Sequence, residues 1–289
     1  MMTITIRETG PLATVQDLGR PGYAHLGVPG SGAADRGAMM LANRLVGNTV
    51  SAATIECTLG GLTLTTDTDV LMAVTGADTV VRVDGTPVGV AAAVALRAGS
   101  ELSVDAPSWG CRNYVAVRGG VDVPPVLGSR STDVLSGLGP AALSAGDRLH
   151  VGDDAQDWPE VSSAPPDTDH PRIVVLDCSP GPRRDLVADA SVLYGGVWEV
   201  TAHSNRVGVR LDRPAGGSGL LEHRDDAGEL RSEGIAHGSV QIPPNGRPVV
   251  FLADHPVTGG YPVIAVLDAP SLDAAAALVA GMSVRFRDR

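Results

Sequence analysis

Short stretches that alternate apolar and polar residues recur between glycine- and proline-rich turns along most of this 289-residue chain. Examples are "TITIRE" near the start, "TVVRVDG" and "ELSVDA" further along, and "PVVFLAD" toward the end. A period of two places one face of a strand in a core, and turn signals at intervals of roughly eight to twelve residues are typical of antiparallel sandwiches and barrels. The pattern therefore predicts a mainly β fold with a few short helices.

Three short helices interrupt the strand pattern. Asp35 is a suitable N-cap for "RGAMMLANRLV", which stops at Gly47, and Ser271 is a suitable N-cap for "LDAAAALVA", which stops at Gly281. A third short helix is predicted from Arg183 to Ala190.

An acidic, proline-rich stretch, "DDAQDWPEVSSAPPDTDHP", lies between Asp153 and Pro171 and has no strand or helix period. Such composition is typical of a linker, and the chain is long enough for more than one core. We therefore expect an N-terminal β-rich domain over residues 1–153, a linker over 154–171 and a C-terminal β-barrel domain over 172–289.

The charge and the apolar runs exclude several classes of partner. The net charge is −11, so nucleic acid and anionic membrane surfaces would repel the chain.

The start of the sequence, "MMTITIRETG", lacks the apolar segment of a signal peptide, and the run "VGVAAAVAL" is far too short to span a bilayer. Cys57, Cys111 and Cys178 are widely spaced and form no CxxC pair, which is typical of reduced thiols. We expect a cytoplasmic protein.

The chain contains no lysine, and all 22 basic side chains are arginine. This excludes a Schiff-base lysine, a phosphate-loop lysine and a lysine nucleophile. Biotin and lipoate are attached through lysine amines, so this chain carries no such covalently bound cofactor.

Common catalytic and metal motifs are not evident. The seven histidines show no HxH or HExxH spacing, so we predict no metal site. No GxSxG elbow occurs, and "GLGPAA" matches a dinucleotide fingerprint only formally, because it holds a proline and lacks a βαβ context.

Two arginine-containing clusters are better candidates for chemistry. "RGGVDVPPVLGSRST" contains Arg130 and Ser131, and "HSNRVGVRL" contains Asn205 and Arg206. The planar guanidinium group can bind a carboxylate at two points, and backbone N–H groups at glycine turns can stabilise an oxyanion. The alternative is that these arginines pair with structural carboxylates, and the sequence leaves both interpretations open.

A polar turn between two strand-like runs is a third candidate. In "FLADHPVTGGYPVIAVLD", a hairpin requires the two glycines but not the polar side chains around them. The candidates for a general base and for substrate contacts are Asp254, His255, Thr258 and Tyr261, which flank Gly259 and Gly260. A hydrogen-bonded structural turn is the alternative.

Several motifs together resemble one family, the carboxyltransferase-like proteins called allophanate hydrolase subunit 2 or the C subunit of 5-oxoprolinase. The matching stretches follow the family's order: "GPLATVQDLGRPGYAHLGVPGSGAADRGAMMLANRLVGN", "AATIECTLGG", "AVTGAD", "YVAVRGGVDVPPVLGSRST", "SPGPRRD", "SNRVGVRL" and "SVQIPPNGRPVVFLADHPVTGGYPVIAVL". The resemblance implies two cyclophilin-like β-barrel domains. The family also resembles the antagonist of a sporulation-kinase inhibitor, so it spans enzyme subunits and regulators.

The resemblance implies a subunit of a multi-component enzyme that acts on a small amide or lactam. The reaction would be ATP-dependent opening of 5-oxoproline to glutamate, or carboxyl transfer of the allophanate or urea type. The resemblance also implies a hetero-oligomer with a lactam-hydrolysing subunit and with a sister subunit, which would be of the allophanate hydrolase subunit 1 type or the type of the 5-oxoprolinase B subunit. Biotin, if used, and ATP would then be bound by partner chains.

The resemblance further implies an anion-binding site. Arg20, Arg130 and Arg206 are its candidate carboxylate ligands, and the glycine-rich loop from Val15 to Asp35 would bring Gln16, Asp17 and Arg20 to its mouth. An alternative is a non-catalytic module that regulates its sister subunit. Pro256 and Val257 stand where the family often has Gln-Thr, which favours that alternative.

Overall fold

Residues 2–165, 169–226 and 228–289 are described by a computed structural model. They form two compact units, the first comprising Met1–Arg20 and Ser31–His170 and the second Pro21–Gly30 and Pro171–Arg289. The prediction of a mainly β fold with a few short helices is confirmed. The predicted domain and linker boundaries stay a prediction, and residues 166–168 of the predicted linker lie outside the described residues.

Twelve strands are described in the first unit. They are β1 (Thr3–Thr9), β2 (Leu12–Gln16), β3 (Thr54–Thr58), β4 (Leu62–Thr66), β5 (Val70–Asp78), β6 (Val81–Val83), β7 (Thr86–Val88), β8 (Ala93–Leu96), β9 (Glu101–Val104), β10 (Trp109–Val117), β11 (Val121–Asp122) and β12 (Arg148–Val151). One sheet has the order β11-β12-β1-β4-β9-β6-β7, and the other has the order β2-β3-β10-β5-β8.

The apolar faces of these two sheets share one core. The alternation in β1 buries Ile4 and Ile6, which belong to the same apolar cluster as Leu64 of the first sheet and Val15 and Ile55 of the second. Burial of aliphatic faces removes apolar surface from water, which is the main favourable term in folding. Through Val15 of β2 and Val115 of β10, both of these strands take part in the shared core.

Helix α1 (Arg36–Leu45) covers the other face of the five-stranded sheet. Asp35 is its N-cap as predicted, because the Asp35 carboxylate accepts a hydrogen bond from the Ala38 N–H. Met39 and Ala42 of the helix belong to an apolar cluster with Tyr114 of β10. The helix ends within two residues of the predicted stop at Gly47.

Nine strands are described in the second unit. They are β13 (Ile173–Pro180), β14 (Trp198–Val200), β15 (Gly208–Asp212), β16 (Glu233–Gly234), β17 (Ser239–Gln241), β18 (Val249–Phe251), β19 (Thr258–Gly259), β20 (Val263–Leu267) and β21 (Ser283–Asp288). Seven of them close a barrel in the order β13-β20-β17-β18-β15-β14-β21, and β16 pairs separately with β19. The β13–β21 pair is parallel, and the other barrel pairs are antiparallel.

Two helix predictions in the second unit were wrong in detail. Helix α2 (Ala269–Ala276) begins two residues before Ser271, because Asp268 is the N-cap. The hydroxyl of Ser271 instead accepts a hydrogen bond from the Asp177 N–H of β13. The predicted helix from Arg183 to Ala190 is two 3-10 turns, Arg184–Leu186 and Ala190–Leu193. It is interrupted because Val187 is extended and bridges to His223.

Candidate functional site

Asp17 is the centre of a hydrogen-bond network in the first unit. Its side chain accepts hydrogen bonds from the hydroxyl groups of Ser129 (2.6 Å) and Ser131 (2.5 Å) and from the backbone N–H groups of Gly19 (2.7 Å) and Arg130 (2.6 Å). The Asp17 N–H in turn donates to the Ser131 hydroxyl. The carboxylate therefore fixes the "GSRS" segment against the end of β2.

Arg20 and Gln16 are buried beside the same segment. The Arg20 guanidinium donates to the backbone carbonyl groups of Ser131 and Val126, and the Gln16 amide donates to the carbonyl group of Thr132 (2.8 Å). Both side chains are almost fully buried, yet the Arg20 Nη1 and Gln16 Oε1 atoms have no hydrogen-bond partner among the described residues. An unsatisfied buried polar atom is uncommon in proteins. Of the predicted ligands, Gln16, Asp17, Arg20, Arg130 and Ser131 thus lie together.

A glycine turn packs closely against this network. Gly139 has a φ of +87°, and a Cβ atom at this position would overlap the Ser131 carbonyl oxygen and lie 3.0 Å from Arg20 Nη2. Only glycine fits this approach. The segment that follows "GSRST" is therefore part of the wall around Arg20.

The other arginines of this region are engaged in structural contacts. The Arg130 guanidinium pairs with the half-exposed Asp122 at 3.1 Å and donates to the Val123 carbonyl group. Arg118, which lies between β10 and β11, donates to backbone carbonyl groups and stacks on the Trp158 ring. Both arrangements agree with the structural alternative that the sequence left open.

Arg206 and Asp254 form a fully buried ion pair in the barrel unit. Arg206 Nε lies 2.8 Å from Asp254 Oδ2, and Arg206 Nη2 lies 2.9 Å from Asp254 Oδ1. The Asp254 N–H also donates to the Arg206 carbonyl group. The two charges neutralise each other, and the pair joins the "SNR" turn to the "DHPVTGGY" turn.

The side chains after Asp254 are more accessible. His255 is half-buried and stacks on His237, whereas Thr258 and Tyr261 are exposed. Gly259 lies against Ile235 and Gln241, and the Gln241 amide donates to the Tyr261 carbonyl group. A backbone held in this way presents the Thr258 hydroxyl and the Tyr261 phenol outward.

A cavity of about 160 Å³ lies beside this turn. Gly260 and Tyr261 line it together with His223 and Glu229. Its lining includes the His223 imidazole, whose Nε2 atom already lies 2.8 Å from the Ile242 carbonyl oxygen. It also includes a carboxylate and a phenol, which are groups capable of hydrogen bonding to a small polar ligand.

Asn205 occupies a separate place at the start of β15. Its side-chain oxygen accepts hydrogen bonds from the N–H groups of Val207 (2.8 Å) and Gly208 (3.3 Å), which forms an Asx turn. It lines a larger cleft with Arg210 and Arg247.

A buried network around Glu56 was not predicted from the sequence. The Glu56 carboxylate accepts hydrogen bonds from the Tyr114 hydroxyl (2.8 Å) and the Ala34 N–H (3.1 Å), and it lies 3.5 Å from Arg112. The Tyr114 hydroxyl also accepts a hydrogen bond from the Asp35 N–H. Burial raises the pKa of the Tyr114 phenol well above its ordinary value, so this phenol stays a donor to Glu56. A signal was present, since Glu56 is a charged residue within the apolar-rich run "AATIECTLGG".

Neither a metal centre nor a membrane span is found in the part of the chain that the structure describes. No group of three or more histidine, cysteine, aspartate and glutamate side chains in residues 2–165, 169–226 and 228–289 is placed to hold a metal ion. Among the same residues, no helix has the length and apolar character needed to cross a membrane.

Comparison with known proteins identifies relatives along nearly the whole chain. It is 37% identical over 288 residues to the C subunit of 5-oxoprolinase from Escherichia coli K12, and the match covers 98% of this chain and 90% of that protein. It is 32% identical to urea amidolyase of Lachancea kluyveri over 97% of this chain but only 16% of that much longer protein. The solved structure of the K. lactis urea amidolyase matches 98% of this chain and 18% of its own with a TM-score of 0.90 at 28% identity. The family model for the carboxyltransferase domain, subdomain A and B, matches residues 26–288, and the chain therefore belongs to this carboxyltransferase-domain family.

Proposed function

We propose that this chain is a subunit of a multi-component, ATP-dependent enzyme that opens 5-oxoproline to glutamate. The observation that carries the proposal is the 37% identity to a 5-oxoprolinase C subunit, which extends over 98% of this chain and 90% of that protein. A match of this extent leaves no large part of that relative without a counterpart, in contrast to the match to urea amidolyase, which covers 16% of its length.

The geometry of the barrel turn supports a small, polar substrate. The cavity beside Tyr261 measures about 160 Å³ and offers an imidazole, a carboxylate and a phenol. A lactam with a carboxylate has one N–H donor and several oxygen acceptors, which such groups can recognise. We assign substrate contacts and proton transfer to the accessible side chains His255, Thr258 and Tyr261, with Gly259 and Gly260 shaping the turn.

The buried members of the predicted site then act as positioning residues. Asp254 is neutralised by Arg206 at 2.8 Å, so it holds the turn, while Asp17, Ser131 and Arg130 hold the "GSRST" segment. Of the predicted ligands in the first-unit network, Gln16 and Arg20 retain unsatisfied polar atoms. We therefore assign direct substrate contact in that unit to these two side chains. Asn205, which lines the cleft beside β15, is assigned a further substrate contact.

The partner chains supply the remaining chemistry in this proposal. Because the chain has no lysine, a phosphate-loop lysine for ATP and a biotinyl-lysine belong to other polypeptides. The expected partners are a sister subunit that resembles the 5-oxoprolinase B subunit and a lactam-hydrolysing subunit. The complex is accordingly a hetero-oligomer.

The test is reconstitution with the products of the neighbouring genes. ATP-dependent formation of glutamate from 5-oxoproline is measured with all components and with each omitted in turn. The proposal requires turnover that disappears when this chain is left out and returns when it is added back. Turnover that is unaffected by its omission contradicts the proposal.

A second candidate is carboxyl transfer to urea, which the carboxyltransferase-domain family and the urea amidolyase relatives favour. In that case a biotinylated partner delivers a carboxyl group, and this chain binds and orients it. The same reconstituted mixture is given urea, bicarbonate and a biotinylated partner, and carboxylation is followed with labelled bicarbonate. A complex that assembles but turns over neither substrate supports the regulatory alternative.

A further inference from the structure

We infer that a cleft on the outer surface of the barrel binds a small oxyanion, which is a carboxylate or a phosphate group. The cleft has a volume of about 640 Å³ and lies beside β15 and the turn over residues 243–248. On β15, Val209 and Leu211 are buried while Arg210 is exposed, which places Arg210 on the outside of the barrel. The inference concerns binding by this chain alone and holds whether or not the proposed reaction is right.

The charges around the cleft leave one arginine uncompensated. Arg247 Nε pairs with Asp212 Oδ2 at 2.7 Å, and the other Asp212 oxygen accepts a hydrogen bond from the Arg213 N–H. The Arg210 guanidinium forms no ion pair or side-chain hydrogen bond with the described residues, although the whole chain carries a net charge of −11. The cleft is thus a local positive site on an acidic protein, and such a site attracts anions.

Two asparagines present hydrogen-bond donors to the cleft. The Asn205 side-chain oxygen is occupied by the N–H groups of Val207 and Gly208, and the Asn245 side-chain oxygen accepts from the Arg247 N–H at 3.1 Å. With the oxygens committed to the backbone, the NH₂ groups are the parts of both amides left to bind a ligand. Neither asparagine therefore adds a competing acceptor.

A buried hydroxyl gives an independent indication. Thr201 lines the cleft, and its Oγ1 atom is buried without a hydrogen-bond partner among the described residues. A hydroxyl in this state can donate to an incoming oxygen, and leaving it unsatisfied carries a cost. Arginine, two amide NH₂ groups and a hydroxyl together complement the oxygens of a carboxylate or phosphate. The volume is in the range of small-molecule sites, about 300–1,000 Å³.

The experiment is isothermal titration of the isolated chain with three probes at constant ionic strength: inorganic phosphate, acetate and 5-oxoproline. We expect saturable binding of one or more of them. Arg210→Gln should weaken that binding about tenfold or more, because it removes the charge and the two-point donor. Arg285→Gln is the matched control, since Arg285 is an exposed arginine on β21 and its loss changes the net charge equally.

Thr201→Val is a second variant that keeps the size of the side chain and removes only the hydroxyl. It should weaken binding by about threefold without lowering stability, since it replaces an unsatisfied buried polar atom. Tighter binding of phosphate than of either acid identifies phosphate as the ligand chemistry, and the reverse order identifies a carboxylate. The inference is overturned by absence of saturable binding for all three probes, or by equal affinity of Arg210→Gln and Arg285→Gln.

Discussion

Arg206 and Asp254 are 48 residues apart in sequence and form a two-point ion pair that is almost completely excluded from solvent, with side-chain exposures of 1% and 0%. Desolvation of two charges is costly, and their attraction offsets this cost only when the ion pair has good hydrogen-bond geometry for both charged groups. Both parallel hydrogen bonds are below 3 Å, which meets that condition. The pair therefore fixes the turn that carries His255, Thr258 and Tyr261.

Loss of one member of this pair should be strongly destabilising. Arg206→Ala leaves the Asp254 carboxylate buried without its partner, and we expect a loss of about 3–5 kcal/mol in the free energy of unfolding. The double variant Arg206→Met, Asp254→Leu should lose less than Arg206→Ala alone, because no charge stays buried. Urea denaturation followed by circular dichroism measures both, with Arg285→Ala as an exposed control. A loss for Arg206→Ala no larger than that of the control contradicts this view of the pair.

The Asp17 network should also depend on its charge. Asp17→Asn keeps the size of the side chain but replaces one carboxylate oxygen with an NH₂ group. The donors that contact Asp17 use both of its oxygens, so at least one donor loses its acceptor in the variant. We expect destabilisation by about 1.5–3 kcal/mol, the range for a hydrogen bond to a charged group. Asp122→Asn removes the half-exposed partner of Arg130 and should cost less than about 1 kcal/mol. Chemical denaturation of both variants measures the two losses in the free energy of unfolding. Equal losses would mean that the Asp17 network stabilises the protein no more than the half-exposed ion pair of Asp122 does.

The sequence was most informative where one short-range rule determined the structure. Alternation of apolar residues predicted the strands around Ile4 and Ile6, and the cap at Asp35 predicted the start of α1. Ser271 shows where local rules compete, because Asp268 is an equally good N-cap. The Ser271 hydroxyl instead accepts a hydrogen bond from the Asp177 N–H of β13. Val187 breaks a predicted helix through pairing with His223, a contact 36 residues away that local sequence does not contain.

The candidate site was predictable as a set of residues but not as a set of partners. Asp17, Arg20 and Ser131 were recognisable as polar groups among glycines, and they do lie together. The pairing of Arg206 with Asp254 was not predictable, since carboxylates are frequent in the chain and the pairing depends on barrel closure. The Glu56 network is not predictable from the sequence for the same reason, because its partners Tyr114 and Arg112 lie on β10, far from Glu56 in the chain.

The ion pairs of Asp177 should make stability depend on acid pH. Hydrogen bonding to Arg287 is the main cause that lowers the pKa of the Asp177 carboxyl below its ordinary value, and the charge of Arg289 adds to it. A lowered folded-state pKa contributes stability that is complete above the ordinary pKa of aspartate, about 3.9, and is lost as the pH falls through the folded value. Asp177→Asn should thus be less stable than the parent protein at pH 7, and the difference should shrink below about pH 4. Thermal unfolding of the parent protein and Asp177→Asn across this pH range tests the prediction, with Asp153→Asn as the control. A stability difference between Asp177→Asn and the parent that is the same at all pH values contradicts the coupling of stability to this carboxyl group.

The three thiols should resist alkylation while the protein is folded. Burial raises the pKa of the Cys57 and Cys178 thiols to about 11 and that of Cys111 above its ordinary value, so little thiolate forms at neutral pH. Treatment with iodoacetamide at about pH 8, near the ordinary thiol pKa, should give no labelled cysteine in the native chain and three in urea, as counted by mass spectrometry. Rapid labelling of any one of them in the native chain would show that its surroundings open.

Tyr261 provides the sharpest test of the barrel turn as the place of catalysis. Its side chain is 44% exposed and lines the small cavity, while its backbone carbonyl group is held by Gln241. Tyr261→Phe removes only the hydroxyl, so stability should be unchanged within about 0.5 kcal/mol. In the reconstituted enzyme, loss of a group that transfers a proton should lower kcat by about 10²-fold or more, with KM affected less. Thr86→Ala on the exposed strand β7 controls for changes unrelated to the turn.

If Tyr261→Phe raises KM and leaves kcat intact, the phenol binds substrate without taking part in the reaction. Unchanged kcat and KM remove Tyr261 from the site.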